Sequence, residues 1–351
     1  MSKFFSNKYE GLIPYTPGEQ PQNRKYIKLN TNESPFPPSA KAISAACEEA
    51  EKLQLYSDPD CRVLRKKMAE NLGISEDEII FTNGSDDILN FAFMAFCDNG
   101  AAFPDITYGF YPVFAALNRI DADEIPLNKD FTINVSDYIG INKTIFIANP
   151  NAPTGIALSA AEIEKIVASN PKNVVVVDEA YVDFGAESVL PLIHKYNNLL
   201  VCQTFSKSRS LAGARLGFGA ACKELIADIN TVKYSTNPYN INRMTMAAGI
   251  GALCDKEYFE GNCAAIKATR EKTAAALKEM GFVMTDSSSN FIFAKHPKKS
   301  GLEIYLELKE MGVLIRHFET PLLKDYNRIT VGSEAQMQGL LEALKTVLEE
   351  K

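Results

Sequence analysis

The 351-residue sequence predicts an α/β protein: a large domain on a mostly parallel central sheet, then a smaller C-terminal α+β domain. Three observations predict it. From about residue 40 to 300, helical periodicity alternates with short apolar runs at 79–81, 144–148, 173–178, 199–203 and 216–220, each bounded by Asn, Pro, Gly or Asp. Runs so short and so uniformly apolar suit strands covered on both faces. The alternation then breaks at 238–242, and the order beyond it changes to a long helix (about 256–280) followed by strand–strand–helix–strand–strand–helix. Finally, 46% apolar residues in a chain of this length are enough for a large core in two lobes. Residues 1–30, rich in Pro, Gly, Gln and Asn, read as an irregular N-terminal arm; 31–240 then form the large domain and 241–351 the small one. The final helix is written most plainly, with Met337, Leu340, Leu341, Leu344 and Leu348 on one apolar stripe.

Composition narrows the function. A net charge of −7 argues against a nucleic-acid or anionic-membrane partner. No apolar run approaches the roughly 18 residues that span a bilayer. The N-terminal stretch Met-Ser-Lys-Phe-Phe-Ser-Asn-Lys lacks the apolar centre of a signal peptide, so a cytoplasmic location is expected. The seven cysteines are scattered, odd in number and without a Cys-x-x-Cys pair, which points to free thiols. The three histidines (His194, His296, His317) are not spaced as metal ligands, and no metal site is expected.

Residues 204–217 read Thr-Phe-Ser-Lys-Ser-Arg-Ser-Leu-Ala-Gly-Ala-Arg-Leu-Gly. Lys207 lies between small hydroxyl residues, and Arg215 follows beside two glycines. This layout suits a lysine that forms an imine with an aldehyde cofactor while a guanidinium holds the cofactor's phosphate. By itself, an exposed surface lysine is the commoner explanation. Three further motifs bear on the choice. Gly84-Ser85-Asp86 stands between a strand and a helix, where free N–H groups and the helix dipole favour an anion, although a plain N-cap uses the same letters. Asp178, in Asp-Glu-Ala-Tyr, ends an apolar strand at the edge where open α/β sheets bind ligands, and a carboxylate there can keep a pyridine nitrogen protonated; capping the next helix is the equal alternative. Asn149-Pro-Asn-Ala-Pro-Thr-Gly155 forms a fixed turn with amides to offer, and Tyr108 could stack on a flat ring or simply fill the core.

Taken in order, the Gly-Ser-Asp turn, the aromatic residue, the Pro-Thr-Gly turn, Asp-Glu-Ala-Tyr and Ser-Lys…Gly-x-Arg-x-Gly resemble the fold-type I, class I/II pyridoxal-phosphate aminotransferases over nearly the whole chain. Within that group, Leu12-Ile-Pro-Tyr15, Leu29-Asn-Thr-Asn-Glu33-Ser-Pro35, Tyr56-Ser-Asp58, Pro238–Asn242 and Asn327-Arg328-Ile-Thr-Val-Gly332 resemble the histidinol-phosphate aminotransferases. The resemblance implies pyridoxal 5'-phosphate as cofactor, an amino donor and a 2-oxo acid as substrates, and a homodimer with a shared site. It makes Lys207 the covalent anchor and proton shuttle, Asp178 the partner of the pyridine nitrogen, and Tyr181 that of the ring's phenolic oxygen. Tyr108 would stack on the ring. Gly84, Ser85 and Asp86 (through backbone N–H), Ser206 and Arg215 would hold the phosphate, joined by Tyr56 from the partner subunit. Arg328 would bind the substrate's anionic group, with Tyr15, Glu33 and Arg316 as further substrate contacts. The chain departs from the pattern at Ala152, where the family usually has asparagine before Pro-Thr-Gly; Asn151 is the nearest amide. The same scaffold also serves aromatic or broad-specificity aminotransferases and threonine-phosphate decarboxylase-like lyases, which share Lys207 and Asp178.

Overall fold

The computed structural model describes residues 2–22 and 24–349. Its strands are β1 (Ile27–Leu29), β2 (Ile79–Thr82), β3 (Ala101–Pro104), β4 (Ala122–Ile125), β5 (Thr144–Ala148), β6 (Val175–Asp178), β7 (Leu199–Thr204), β8 (Gly217–Ala221), β9 (Val283–Met284), β10 (Phe291–Lys295), β11 (Val313–His317) and β12 (Tyr326–Thr330). The helices are α1 (Ala40–Ala50), α2 (Arg62–Leu72), α3 (Ser85–Phe96), α4 (Tyr111–Asn118), α5 (Ala160–Ser169), α6 (Lys223–Thr236), α7 (Arg243–Leu253), α8 (Lys256–Glu279), α9 (Gly301–Glu310) and α10 (Glu334–Glu349).

Seven strands form the central sheet in the order β2-β8-β7-β6-β5-β3-β4. The pairs from β7 through β4 are parallel, and β8 alone runs against both its neighbours. All five expected apolar runs are strands of this sheet. β3 and β4 are additional. β4 is an edge strand that leaves Asp123 and Glu124 exposed, so it never reads as an apolar run. β3, Ala-Ala-Phe-Pro, is buried throughout but too short to stand out.

Each sheet face is covered for a reason visible in its side chains. One face packs Phe103, Phe146 and Val176 against Ile88, Phe91 and Phe93 of α3, with α4 and α6 beside it. Phe93 stacks flat on Phe146, with centroids 4.0 Å apart and planes 6° from parallel. The other face packs Ile145, Ile147, Val175 and Val177 against Ile163, Ile166 and Val167 of α5. Burial on both faces makes these strands continuously apolar.

The second sheet has five strands, β1-β11-β12-β10-β9, antiparallel except that β1 runs parallel to β11. This corrects the expectation of an arm irregular through residue 30. Leu29 is buried in the second core, and its strand forms because β11 offers an open edge to pair with. The second core takes Met337, Leu340 and Leu344 from the stripe of α10, with Leu341 and Leu348 packed at its margin. The boundary expected at 240 also separates residues that pack together. Ile241, Ala248, Ala252 and Leu253 share a core with Phe81, Phe205 and Phe218 of the first lobe, because α7 lies against α1 and α2.

The Phe93–Phe146 stack fixes α3, and through it the turn at Gly84, onto the sheet. Phe93→Ala should lower the unfolding free energy by about 3–5 kcal/mol, as deleting a fully buried aromatic ring does. Urea denaturation measures it; a loss under about 1 kcal/mol would mean the stack does not support the helix.

Candidate active site

The C-terminal ends of the parallel strands deliver a set of polar groups to one cavity. β6 ends in Asp178, β7 leads through Thr204 into Ser206 and Lys207, and β2 leads through Gly84 into the first turn of α3. Ser85, Asp86, Tyr108, Asp178, Tyr181 and Lys207 line this cavity together with Ala152, Ser206 and Arg215.

One end is built for an anion. Gly84 has φ +82°, and a Cβ there would stand 2.5 Å from a guanidinium nitrogen of Arg215. A Cβ on Gly217 would stand 2.3 Å from the backbone nitrogen of Ser85. These two glycines let β8 and the Arg215 side chain press against the N-terminus of α3, whose first N–H groups lack helix partners. Arg215 itself is left-handed, with φ 56°, and its Nη2 donates to the Asp86 carboxylate at 2.9 Å. The Tyr108 hydroxyl donates to the other Asp86 oxygen at 2.7 Å. Resemblance assigned Asp86 a backbone contact alone; here its carboxylate holds the two donors that converge at this end. Ser206 is buried, its hydroxyl accepting from Thr204 at 3.0 Å.

The other end is a buried carboxylate. Asp178 accepts from the Tyr111 hydroxyl at 3.2 Å and from the backbone N–H of Ala180 at 3.1 Å. Burial is the main cause that pushes its pKa up to about 7, with Asp86 adding to the rise and the two hydrogen bonds and Lys207 opposing it. Tyr111 was not anticipated from sequence. It is fully buried, and its hydroxyl stays a donor because burial and the neighbouring Asp178 push its pKa well up. The adjacent Glu179 faces away and is used structurally, accepting from Ser188, Val189 N–H and Gln203.

Lys207 lies between these ends. Its Nζ sits 5.7 Å from the centroid of the Tyr181 ring and donates to the Thr31 carbonyl at 3.4 Å. The Tyr181 hydroxyl accepts from Asn32 Nδ2 at 2.9 Å, a second partner absent from the expected set. Asn32 could not be singled out in sequence because its role depends on a left-handed backbone (φ 55°) and on contacts from the distant Thr330 and Asn290.

Lys207, Tyr108, Tyr181 and Ala152 also border a larger cavity of about 980 Å³, which Tyr15, Arg316 and Arg328 line as well. Arg316 and Arg328 are direct neighbours across β11 and β12. Arg328 donates to the Asn30 carbonyl at 3.1 Å, and its Nε is buried without a partner. Arg316 donates to the carbonyls of Pro17 and Thr16, both at 3.4 Å, and lies over the Phe318 ring at 5.7 Å. Tyr15 stacks on Phe110 with centroids 4.1 Å apart. Three further residues do not line these cavities, which for Tyr56 is the expectation, since the resemblance assigns it to a partner subunit's site. Glu33 is bound by Lys28 and Thr31; burial raises its carboxyl, and Lys28, Thr31 and the charge of Lys207 together hold it below the usual range. Tyr56 is 81% exposed and stacks on Tyr239, away from both cavities of its own chain. Asn151 does not line the smaller cavity, because its amide is spent on Thr107, the Ile106 carbonyl and Thr154; Ala152 faces the cavity instead.

The residues present fit a phosphate-bearing pyridine aldehyde. The cradle under Arg215 that a Cβ on Gly84 would fill suits the phosphate. The buried Asp178 suits a protonated ring nitrogen, and the primary amine of Lys207 stands between.

A model of the family described as aminotransferase class I and II matches residues 24–344. A histidinol-phosphate aminotransferase of Brachyspira hyodysenteriae is 47% identical over 99% of this chain and 100% of its own. Among solved structures, a histidinol-phosphate aminotransferase of Sinorhizobium meliloti in complex with pyridoxal-5'-phosphate superposes with a TM-score of 0.90 at 24% identity, covering 99% of this chain and 98% of that one. An L-threonine-O-3-phosphate decarboxylase of Porphyromonas gingivalis superposes with a TM-score of 0.80 at 22% identity, covering 92% of this chain and 99% of that one, so the fold is common to transferases and lyases. The family match over most of the chain and the full-length relative agree, and the chain belongs to the class I and II aminotransferases.

Proposed function

We propose that the chain is a pyridoxal-phosphate-dependent transaminase that exchanges an amino group between histidinol phosphate and a 2-oxo acid such as 2-oxoglutarate. The observation that carries the substrate class is the Arg316–Arg328 pair: two adjacent guanidiniums in the larger cavity, with no carboxylate in an ion pair with either among the described residues. Two cations set side by side repel each other, and a phosphate or carboxylate between them relieves that repulsion. The 47% identity to a histidinol-phosphate aminotransferase supports the finer choice of substrate.

In this reading the bound cofactor supplies an electron sink for the bond broken at the substrate's α-carbon. Arg215, Ser85, Ser206 and the first turn of α3 bind its phosphate, and Asp86 orients Arg215. Asp178 holds a proton on the ring nitrogen. Tyr181 would donate to the phenolic oxygen, and Tyr108 would stack on the ring. Lys207 would anchor the cofactor, and its free amine would move the proton at the substrate's α-carbon. Arg316 and Arg328 hold the substrate's anion so that the α-carbon lies within reach of Lys207, and Tyr15 closes the far wall. The 2-oxo acid takes the same arginines in the returning half-reaction. The exposed Tyr56 completes the phosphate site of a partner subunit in a homodimer, and seven free cysteines suit a reducing cytoplasm.

Lys207→Ala should abolish glutamate formation from histidinol phosphate and 2-oxoglutarate, a fall of at least a thousandfold for a lost nucleophile and base. The substrate assignment is overturned if the unaltered protein turns over phenylalanine but not histidinol phosphate. Release of carbon dioxide from phosphothreonine without an oxo acid would select a lyase.

Asp178 also gives the cofactor-free protein a pH signature. Its pKa is about 7 in the fold against 3.8 for the ordinary carboxyl, so the folded chain holds the proton more tightly between those values. Stability must therefore fall as pH rises through that window and level off above it, by roughly 4 kcal/mol at most. Glu179, raised to about 7 from 4.5, adds to the same slope. Asp178→Asn should flatten the fall measured by denaturation of cofactor-free protein from pH 4.5 to 7.5. Identical slopes would show that the Asp178 carboxyl does not titrate as a buried group.

A further inference from the structure

Ala152 leaves Tyr181 as the side chain facing the phenolic oxygen, so whatever sets the direction of the Tyr181 hydrogen matters. That hydroxyl has one hydrogen to give. Asn32 Nδ2 approaches its oxygen at 2.9 Å. The Asn32 amide turns its oxygen toward Thr330 and its nitrogen toward Tyr181. The Thr330 hydroxyl oxygen accepts the backbone N–H of Asn32 at 2.9 Å, and its hydrogen goes to Asn32 Oδ1 at 3.1 Å. The oxygen end of the amide accepts from Thr330, and the nitrogen end donates to Tyr181. The backbone is pinned as well: Asn290 donates to the Asn32 carbonyl at 3.1 Å, and Asn32 sits at φ 55°, a conformation asparagine accepts more readily than most residues. Asn32 is 1% exposed, so water does not compete for these contacts.

We propose that Asn32 is a positioning residue: by donating to the Tyr181 oxygen it turns the tyrosine hydrogen into the cavity and makes that hydroxyl a stronger donor to the cofactor's phenolic oxygen. A hydroxyl whose oxygen already accepts a hydrogen bond donates more strongly, because the chain of bonds polarises each member. Asn32 thus acts through Tyr181 and supplies, from the segment after β1, an amide-based influence on a ring oxygen that Ala152 cannot reach. The inference rests on the cofactor reading above.

The test is the pH titration of the visible absorption band of the cofactor-loaded protein, which reports the basicity of the nitrogen joined to Lys207. A strong donor on the phenolic oxygen keeps that basicity low. Asn32→Ala should raise the titration midpoint by about one pH unit, the size of one buried hydrogen bond. Asn32→Asp, which tolerates the same backbone, replaces the donor with an acceptor, draws the tyrosine hydrogen away from the cavity, and should raise the midpoint further. In a Tyr181→Phe background, neither change should move it again. The inference is overturned if both single variants load cofactor and titrate within about 0.3 unit of the unaltered protein, or if Asn32→Ala shifts the midpoint equally with Tyr181 absent. If Asn32→Ala fails to fold, Asn32→Asp alone decides by the same criteria. Failure of the unaltered protein to load cofactor or show the band overturns the cofactor reading itself, and this inference with it.

Discussion

A carboxylate buried at the end of β6 is the constraint around which the rest of the site is arranged. Water would stabilise the charge of Asp178, and the fold removes that water, replacing it among the described residues with two donors, Tyr111 and the Ala180 N–H. That under-compensation is what raises its pKa to about 7. A site that tolerates a half-ionised carboxyl at neutral pH is one completed by a cationic ring, whose proton supplies the missing partner. The stacked strands and the Phe93–Phe146 pair beneath it supply the rigidity that such a strained charge needs.

The anion end follows a different logic. Here charge is already balanced, because Asp86 meets both Arg215 and Tyr108. A phosphate arriving beside Asp86 therefore finds its arginine held in place, at the expense of one acidic neighbour. The arrangement depends on absent atoms: a side chain at Gly84 would collide with the guanidinium, and one at Gly217 would push β8 from the start of α3. Pre-organisation of this kind is bought by glycine, and it explains why the Gly-x-Arg-x-Gly and Gly-Ser-Asp segments meet although 129 residues separate Asp86 from Arg215.

Much of this was legible in the sequence, and the limits have physical causes. The five buried strands announced themselves because two covered faces demand continuous apolar residues. Lys207, Asp178, Tyr181, Tyr108 and Arg215 stand at strand ends and turns, where few other reasons exist for those residue types, and the cavity gathers all five. Strand β1 was hidden because three residues pairing in parallel with β11 leave no local periodicity. Tyr111 resembled ordinary core, since only its hydroxyl has a polar task. Asn151 misled for the opposite reason: adjacency in sequence suggested that it could replace the amide missing at Ala152, while its side chain is consumed by the turn that it closes.

The segment from Leu29 to Asn32 then joins what the two sheets hold separately. Leu29 belongs to β1 and is buried in the second core. The next three residues each make one contact toward the chemistry: the Asn30 carbonyl accepts from Arg328, the Thr31 carbonyl from Lys207, and the Asn32 amide donates to Tyr181. Arg328, Lys207 and Tyr181 thus share one short stretch of backbone, anchored behind by Thr330 and Asn290. The Asn30 carbonyl that accepts from Arg328 belongs to the same backbone that positions Asn32.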